Sequence, residues 1–360
     1  MKKIISIVIV LALIFALAAC GNNNAPAPEP AAPAPAPAET GGGDDGGGNA
    51  VSDLIVGYNA GSDYIEFFIN VIGGLQAEAD KAGIGFVSVV SDFDPEKIMP
   101  NTEQLLQKGA QIIIDFNVNN EVGANIVKVV EERGGAGVIS IDVEYVGAWF
   151  MGINNQRAGE LAGEAIAQAL TDQNRELEYL VLFFNSENGD LVKKRMGGAI
   201  DGLANKGVTI DESRIEWIDM GGGGSDTTIV GKDKFSAWLT AHPDVRTVAT
   251  VAVNDETTQG LWSAAETANR TQDCLMTSHN VSEQFKQLAL QGNDGKTWLG
   301  SVAYHPEQYG EYIIPLAIDI WQGKNVDPTT HVLMDPAWVP MSKTAIDAYI
   351  ADFDAYTASW

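Results

Sequence analysis

The sequence predicts an α/β fold of two lobes, each built on a parallel sheet that is covered by helices on both faces. From residue 54 onward, short runs typical of buried strands alternate with runs of helical periodicity, and the alternation restarts after Asn154. Such alternation is typical of parallel sheets, because their crossover helices lie on the two faces. The body spans about 310 residues, more than one hydrophobic core usually holds, so two lobes are expected.

The first half carries four predicted strands and three predicted helices. Gly83 ends the first helix, and Asp94 and Pro95 supply the cap and the first residue of the second. The strands are expected over 53–58, 85–90, 110–114 and 137–141, and the helices over 65–82, 95–108 and 122–133.

The second half repeats the pattern. Its helices are expected over 156–170, 191–204, 227–239 and 257–268, and its strands over 179–184, 214–220, 248–253 and 274–278. The glycine-rich tract 221–226 lacks the Lys-Ser/Thr ending of a phosphate-binding P-loop. It is predicted to be a flexible loop in which Ser225 or Asp226 caps the next helix.

The first residues have the layout of a secretory signal. Lys2 and Lys3 precede an apolar run over 4–16, and Leu17-Ala18-Ala19-Cys20-Gly21 follows. These five residues resemble the bacterial lipobox, in which a peptidase cuts before the cysteine and the cysteine is acylated. We therefore expect 1–19 to be a lipoprotein signal peptide and Cys20 to carry lipid. The alternative is an ordinary signal that happens to contain a cysteine.

Residues 20–50 are expected to form a tether. Alternating Pro and Ala over 22–39 favours stiff polyproline II, and the Gly- and Asp-rich stretch 40–49 has no apolar side chains to bury. The two parts would reach about 60 Å and about 20 Å. The mature protein would thus be anchored in the cell membrane by lipid, on the cell surface or in the periplasm, and could reach a neighbouring membrane protein.

Composition excludes several classes of function. The formal net charge is −26, and loss of Lys2 and Lys3 makes the chain two units more negative, which argues against a nucleic-acid partner. Cys274 lies in a short apolar run and is expected to be a buried thiol. The histidines are scattered, and neither CxxC nor HExxH occurs, so no metal site, no cofactor and no enzymatic activity are expected.

Polar and aromatic residues cluster where four of the predicted strands end. Carboxylates and amides there can bind the hydroxyls of a polyhydroxylated ligand, and aromatic faces can cover its C–H face. The other interpretation is that these residues only form turns and cap helices. The clusters are Tyr58–Tyr64 with Phe67 and Phe68, Asp142–Tyr145, Asn254–Glu256 and His279–Asn280.

Several stretches resemble the type 1 periplasmic binding proteins of the ribose-binding kind. The resemblance runs from about Leu54 to about Val339 and rests on the order and spacing of its motifs. Related intracellular repressors carry a DNA-binding helix-turn-helix, and here a lipidated leader takes its place. The matching stretches are Phe67-Phe68 with 75–83, 139–142, 240–245 with 253–256, and 300–304 with 306–310.

The resemblance implies two Rossmann-like lobes joined by three hinge crossings, near 153–154, 304–305 and 333–334. The N-terminal lobe would comprise 51–153 plus 305–333, and the C-terminal lobe 154–304 plus 334–360. It implies a monomer that closes on a small ligand, most simply a monosaccharide, and delivers it to an ABC permease. The alternative is a sensor that presents a sugar, nucleoside or signal molecule to a chemoreceptor or histidine kinase.

The resemblance also implies ligand contacts in the first lobe and at a hinge. Phe67 and Phe68 follow the first strand, and at least one should stack on the ring. Asp142 should accept ring hydroxyls. Tyr304 takes the place of a polar amide at the second crossing.

In the second lobe, the implied contacts follow three strands. Arg195 should donate hydrogen bonds from the helix after strand 179–184, and Asn254 should hydrogen-bond to the ligand. His279 and Asn280 take the place of an aromatic–Asp pair.

The chain departs from the family pattern in places. Val143 stands where the family often has Arg, and Tyr64, Glu144 and Tyr145 are expected to compensate as ligand contacts. Among the tryptophans, Trp149 follows the Asp142 loop and is the one expected to report ligand binding.

Overall fold

Two six-stranded sheets form the framework of the protein. The computed structural model describes residues 49–116, 122–186, 189–221, 227–324, 326–329 and 331–360. The strands are β1 Ile55–Ala60, β2 Gly85–Val90, β3 Ile112–Asp115, β4 Gly137–Ile141, β5 Trp149–Ile153, β6 Tyr179–Phe184, β7 Ile215–Asp219, β8 Val248–Ala252, β9 Cys274–His279, β10 Trp298–Ala303, β11 Val332–Met334 and β12 Ala337–Pro340.

Helices pack around both sheets. Their ends follow the expected local signals: Gly83 ends α1 with a left-handed φ of 70°, and the Asp94 side chain accepts a hydrogen bond from the Glu96 amide at the start of α2. The helices are α1 Glu66–Ala82, α2 Pro95–Gln107, α3 Gly123–Glu132, α4 Asn155–Asp172, α5 Asp190–Asn205, α6 Thr227–Ala241, α7 Asp255–Thr267, α8 Glu283–Leu290, α9 Tyr309–Trp321 and α10 Lys343–Thr357.

The strand order of each sheet indicates at which end of its strands a ligand can bind. The first sheet runs β11-β5-β4-β3-β1-β2, and all its paired strands are parallel. The second runs β12-β10-β9-β8-β6-β7, and only β12 is antiparallel to its neighbour. In open sheets of this kind, ligands bind beyond the carboxyl ends of the strands, where the order reverses. The predicted fold class is confirmed.

The chain passes between the two sheets at three places. It crosses from β5 to α4, from β10 to α9, and from β11 to β12. The first lobe is therefore completed by α9 and β11, which come late in the chain. Apolar side chains of the strands, such as Ile112 and Ile114 in the first sheet and Leu180 and Leu182 in the second, are fully buried beneath the helices.

The strand β5 is absent from the elements predicted from sequence. Its five residues include a glycine and begin two residues after Gly147, so they resemble a continuation of the loop after Asp142. The prediction that Trp149 reports ligand binding stays a prediction. Trp149 begins β5, its indole Nε1 donates to the Val326 carbonyl at 3.2 Å, and its ring covers Gly137 at the start of β4. Its ring therefore lies at the end of the sheet away from the crossing.

Some sequence predictions lie outside the described residues. These are the signal peptide, Cys20 and nearly all of the tether, together with Ser225 and Asp226 of the glycine-rich tract. Among the helices that the structure describes, none has the length and apolar character needed to cross a membrane.

Candidate functional site

Asp142 projects from the first lobe into the cleft between the sheets. It follows β4 with a positive φ of 56°, and its Oδ1 accepts from the Ile153 amide at 3.0 Å. Its Oδ2 accepts from the Tyr309 hydroxyl at 2.8 Å. Burial raises the pKa of the Asp142 carboxyl, while these two hydrogen bonds and the charge of Arg195 act in the opposite direction. The carboxylate is thus held firmly, close to a cation of the other lobe.

Arg195 reaches the same place from helix α5 of the second lobe. Its Nε donates to Asn155 Oδ1 at 2.9 Å, and its Nη1 donates to the Val253 carbonyl at 3.0 Å. Its guanidinium carbon lies 5.1 Å from the centre of the Tyr304 ring, within the range of a cation–π contact. Arg195 is therefore anchored to two parts of the second lobe, at Asn155 and Val253, and to Tyr304 at the second crossing.

His279 ends β9 and is fully buried. Its Nδ1 lies 2.8 Å from the Ala252 carbonyl, so Nδ1 carries the proton and Nε2 carries a lone pair. Burial, followed by the charge of Arg195, lowers the pKa of His279 to about 3, so the ring is neutral at pH 7. Within the described part of the chain, neither His279 Nε2 nor the Tyr304 hydroxyl has a hydrogen-bond partner.

These residues form one group, which we call the inner cluster: Asp142, Arg195, His279, Tyr304 and Tyr309. Four of them were predicted as ligand contacts. The His279 and Tyr304 rings are 6.1 Å apart, and the tyrosine is 7% exposed. The inner cluster therefore contains a hydrogen-bond acceptor from one lobe, the Asp142 carboxylate, and a donor from the other, the Arg195 guanidinium.

A cavity of about 470 Å³ lies beside the inner cluster, and we call it the cleft cavity. It is lined by both lobes, and three predicted contacts, Tyr64, Phe67 and Asn280, border it. Glu256 also lines it, and burial raises the pKa of this carboxyl. Its volume lies within the range of about 300–1,000 Å³ that is common for small-molecule sites.

The two predicted phenylalanines have different environments. Phe68 is 5% exposed and packs edge-on against Phe93 and Phe116, at 5.4 and 4.9 Å between ring centres. Phe67 borders the cleft cavity, and its ring stands perpendicular to that of Tyr309 at 5.8 Å. Phe67 is thus placed to contact a ligand, whereas Phe68 supports it from behind.

Asn254 acts as the cap of α7. Its Oδ1 accepts from the Thr257 amide at 2.9 Å and from the Thr257 hydroxyl at 2.6 Å. Of the two interpretations offered by the sequence, ligand contact or helix cap, the Asn254 side-chain oxygen fits the helix cap. The residue also follows Val253, whose carbonyl anchors Arg195.

Two of the residues expected to compensate for the missing family arginine are engaged elsewhere. The Tyr145 hydroxyl donates to buried Asp115 at 2.7 Å, and the Glu144 carboxylate pairs with His331 at 3.0 Å. That expectation was therefore wrong for both. Tyr64 remains placed for contact, since it is 68% exposed at the rim of the cleft cavity.

One ion pair joins the lobes beside the cleft cavity. Lys286 on α8 binds Glu66 on α1 at 2.5 Å and Glu283 at 3.1 Å. Its ammonium is largely buried, and the nearby carboxylates raise its pKa despite desolvation. The structure therefore has its lobes in contact.

Sequence reasoning missed several residues of this region. Tyr309 lies in a stretch that was matched to the family but was not read as functional, and Asn155 directly follows the first crossing. Tyr349 and Phe353 of α10 line the cleft cavity and carry no local signal in the sequence that marks them as site residues.

Nowhere in the described ranges do three or more His, Cys, Asp or Glu side chains converge as metal ligands.

Residues 56–325 match the family model described as a periplasmic binding protein domain, and the chain belongs to this family. Similar curated proteins are ribose import binding proteins, named RbsB. That of Escherichia coli strain K12 is 25% identical, with 72% of this chain and 82% of the relative covered. The protein of Bacillus subtilis strain 168 is 23% identical, with 73% of this chain and 80% of the relative covered. The family and these relatives are binding proteins rather than enzymes.

Solved structures of solute-binding proteins share the fold. An ABC transporter protein from Mycobacterium smegmatis with bound glycerol is 18% identical with a TM-score of 0.65, covering 82% of this chain and 96% of that one. One from Actinobacillus succinogenes with bound D-allose is 18% identical, with a TM-score of 0.64 and coverage of 82% and 100%. One from Bacillus halodurans with bound myo-inositol is 17% identical, with a TM-score of 0.64 and coverage of 84% and 99%.

Proposed function

We propose that this protein captures a small polyhydroxylated ligand, a sugar, between its two lobes and delivers it to an ABC importer. One observation carries the proposal: the Asp142 carboxylate of one lobe lies within electrostatic range of the Arg195 guanidinium of the other, and each is held by hydrogen bonds within the cleft. A carboxylate accepts hydrogen bonds from hydroxyls and a guanidinium donates to them, so together they suit a ring that carries hydroxyls on several sides. The ribose-importing relatives and the sugar- and polyol-bound neighbours support the same ligand class.

Capture would proceed by closure of the lobes. The three crossings allow the lobes to move relative to one another, and a ligand that contacts both favours the closed state by its extra affinity for that state. The closed form then presents both lobes together to the permease. Residues 51–153 plus 305–333 would move as one body and 154–304 plus 334–360 as the other.

We further propose that Cys20 is acylated and that 20–50 tether a monomeric capture domain to the extracytoplasmic face of the membrane. The lipobox-like residues and the apolar run before them support the anchor. Two or more acyl chains hold a protein on a membrane stably, whereas a single chain does not.

The test is a thermal-shift screen of the mature chain carrying Cys20→Ser, with pentoses, hexoses, disaccharides, polyols and nucleosides. A ligand at a hundred times its Kd stabilises the fold by about 2.7 kcal/mol and raises Tm. We expect a sugar to raise Tm, and Arg195→Ala to abolish that rise. Arg133→Ala is the control, because Arg133 is exposed and pairs with exposed Glu103 on the surface. A rise with nucleosides and with no sugar would overturn the ligand class.

A further inference from the structure

Helix α10 forms part of the wall of the cleft cavity. Tyr349, Ile350, Phe353 and Asp354 line the cavity together with Phe67 of α1. The family match ends at residue 325, so α10 lies outside the part of the chain that the family model describes. An element beyond the matched region therefore borders the space between the lobes.

Both lobes hold α10 in place. In the second lobe, fully buried Ile346 packs in one cluster with Phe285 and Trp298. In the first lobe, the Tyr356 hydroxyl donates to Glu311 Oε1 at 2.9 Å. The position of α10 across the cavity is thus set by contacts on either side.

The last residue adds a second contact to the first lobe. The Trp360 ring lies so close to α1 that a Cβ at Gly73 would come within 2.4 Å of it. Gly73 leaves room for this approach, and a side chain at this position would push the Trp360 ring away. Anchors at both ends make α10 a fixed wall, as a ligand-contacting element requires.

Side chains of the inner cluster pack closely on one another. The Tyr304 ring lies beneath the Arg195 guanidinium and near His279, and two donors of Arg195 already bind Asn155 and Val253. The adjoining cleft cavity offers space for a ligand ring next to Phe67 and Asn280. A ligand there would lie against Phe67, whose ring packs on Tyr309 of the inner cluster, on one side and against α10 on the other.

The lining defines the chemical class of the ligand. Phe67, Tyr349 and Phe353 offer aromatic faces for the C–H face of a ring, and the Glu256 carboxylate can accept from a hydroxyl. The lining also carries the carboxylates of Glu66, Glu283 and Asp354, against the single ammonium of Lys286 among the lining residues described. Because Lys286 is already paired with two of these carboxylates, an anionic ligand would meet net repulsion.

We propose that α10 is a ligand-binding wall: Tyr349 and Phe353 contact the apolar face of a polyhydroxylated, non-anionic ring in the cleft cavity. This inference rests on the proposed function and adds to it the position of the ring and the exclusion of acidic sugars.

The test measures the affinity of the mature chain carrying Cys20→Ser by calorimetry, with D-ribose, D-allose, D-galactose and myo-inositol as probes. For each probe that binds, we expect Tyr349→Ala and Phe353→Ala to weaken binding at least tenfold. Tyr349→Phe and Phe353→Leu, which keep most of the volume, should weaken it less and serve if the alanine variants fail to fold. Asp347→Ala is the control on α10, because its carboxylate is exposed and pairs with exposed Lys343.

The outcomes separate the two proposals. Wild-type affinity in all α10 variants, with binding lost in Arg195→Ala, would overturn the role of α10 and leave the proposed function standing. No binding of any probe to the unmodified site would overturn both. A separate comparison of D-galacturonate with D-galactose tests the exclusion of anions. At least tenfold weaker binding of D-galacturonate supports the exclusion, and equal or tighter binding of D-galacturonate refutes it.

Discussion

At the residue scale, the cleft is bordered by strained backbone. Asp142, Val281 and His305 each follow a strand and each have a positive φ between 53° and 56°. Such conformations cost on the order of 1–3 kcal/mol each and persist only where surrounding contacts hold them. For Asp142 those contacts are the hydrogen bonds from Ile153 and Tyr309. The strain coincides with the strand ends that bind ligand in this fold, which indicates that the site is preorganised.

Asp255, beside the site, makes stability depend on pH. It is buried and accepts hydrogen bonds from the Ser278 hydroxyl, the Ser301 hydroxyl at 2.7 Å and the Ser282 amide at 2.5 Å. Burial raises the pKa of Asp255 to about 7, above the value of about 3.9 for an unfolded chain. The folded state therefore binds the proton more tightly, so this group lowers the free energy of unfolding as pH rises from about 4 to about 7.

We predict that Asp255→Asn removes this contribution. The free energy of unfolding of the wild type, minus that of the variant, should fall between pH 4 and pH 7 and be level above pH 7.5. Urea unfolding at several pH values measures it. Asp244→Asn, at an exposed position, is the control and should give a level difference throughout. A level difference for Asp255→Asn would show that the aspartate is charged over the whole range.

At the element scale, the position of Arg195 depends on the close packing of α4 on α5. A Cβ at Gly159 in α4 would lie 1.8 Å from the Arg195 carbonyl oxygen, so only glycine allows this approach. The contact is between backbones and cannot be relieved by a rotamer change. The guanidinium is thus positioned by a helix crossing as well as by its hydrogen bonds.

We predict that Gly159→Ala forces α5 away from α4, destabilises the fold by about 1–3 kcal/mol or more, and weakens ligand binding. Thermal unfolding and calorimetry on the same sample measure both effects. Gly197→Ala is the matched control on α5, because a Cβ there meets nothing within 4 Å. It should stabilise the helix by about 0.5–1 kcal/mol and leave binding unchanged. Equal behaviour of the two variants would contradict the role of the crossing.

Elements with strong local signals could be predicted from sequence, and those without them could not. The Asp94 cap and Gly83 fixed the ends of α2 and α1, because each acts within one turn of its own helix. Short β5 was missed because its pairing with β4 and β11 depends on distant residues. Likewise, strand ends identified Asp142 and His279, whereas the contribution of α10 to the cavity depends on packing between residues far apart in the chain.

At the scale of the whole molecule, the proposed anchor and the acidic surface act together. The mature chain would carry a formal charge of −28, two below the −26 of the full sequence, which favours solubility, while a lipid at Cys20 would confine it to the membrane surface. Confinement within the reach of the tether raises the effective concentration of the domain at its permease.

We predict that radiolabelled palmitate is incorporated into the wild-type chain and sediments with membranes. Cys20→Ser should abolish labelling and release the protein from the membrane fraction, because no second acylation site is proposed. Cys274→Ser is the matched control and should retain the label, since Cys274 is buried. Labelling that survives Cys20→Ser would refute the anchor at this position.

The late return of the chain to the first lobe also governs the order of folding. That lobe lacks α9 and the edge strand β11 until Met334 has been made, after all but one strand of the second sheet. Contacts between residues so distant in sequence form slowly, because a long loop must close before they contribute. A chain that emerges amino-terminus first therefore completes neither lobe until its last elements are made, because β12 and α10 of the second lobe follow β11. If the proposed signal peptide directs export, we expect the chain to fold only after nearly all of it has crossed the membrane.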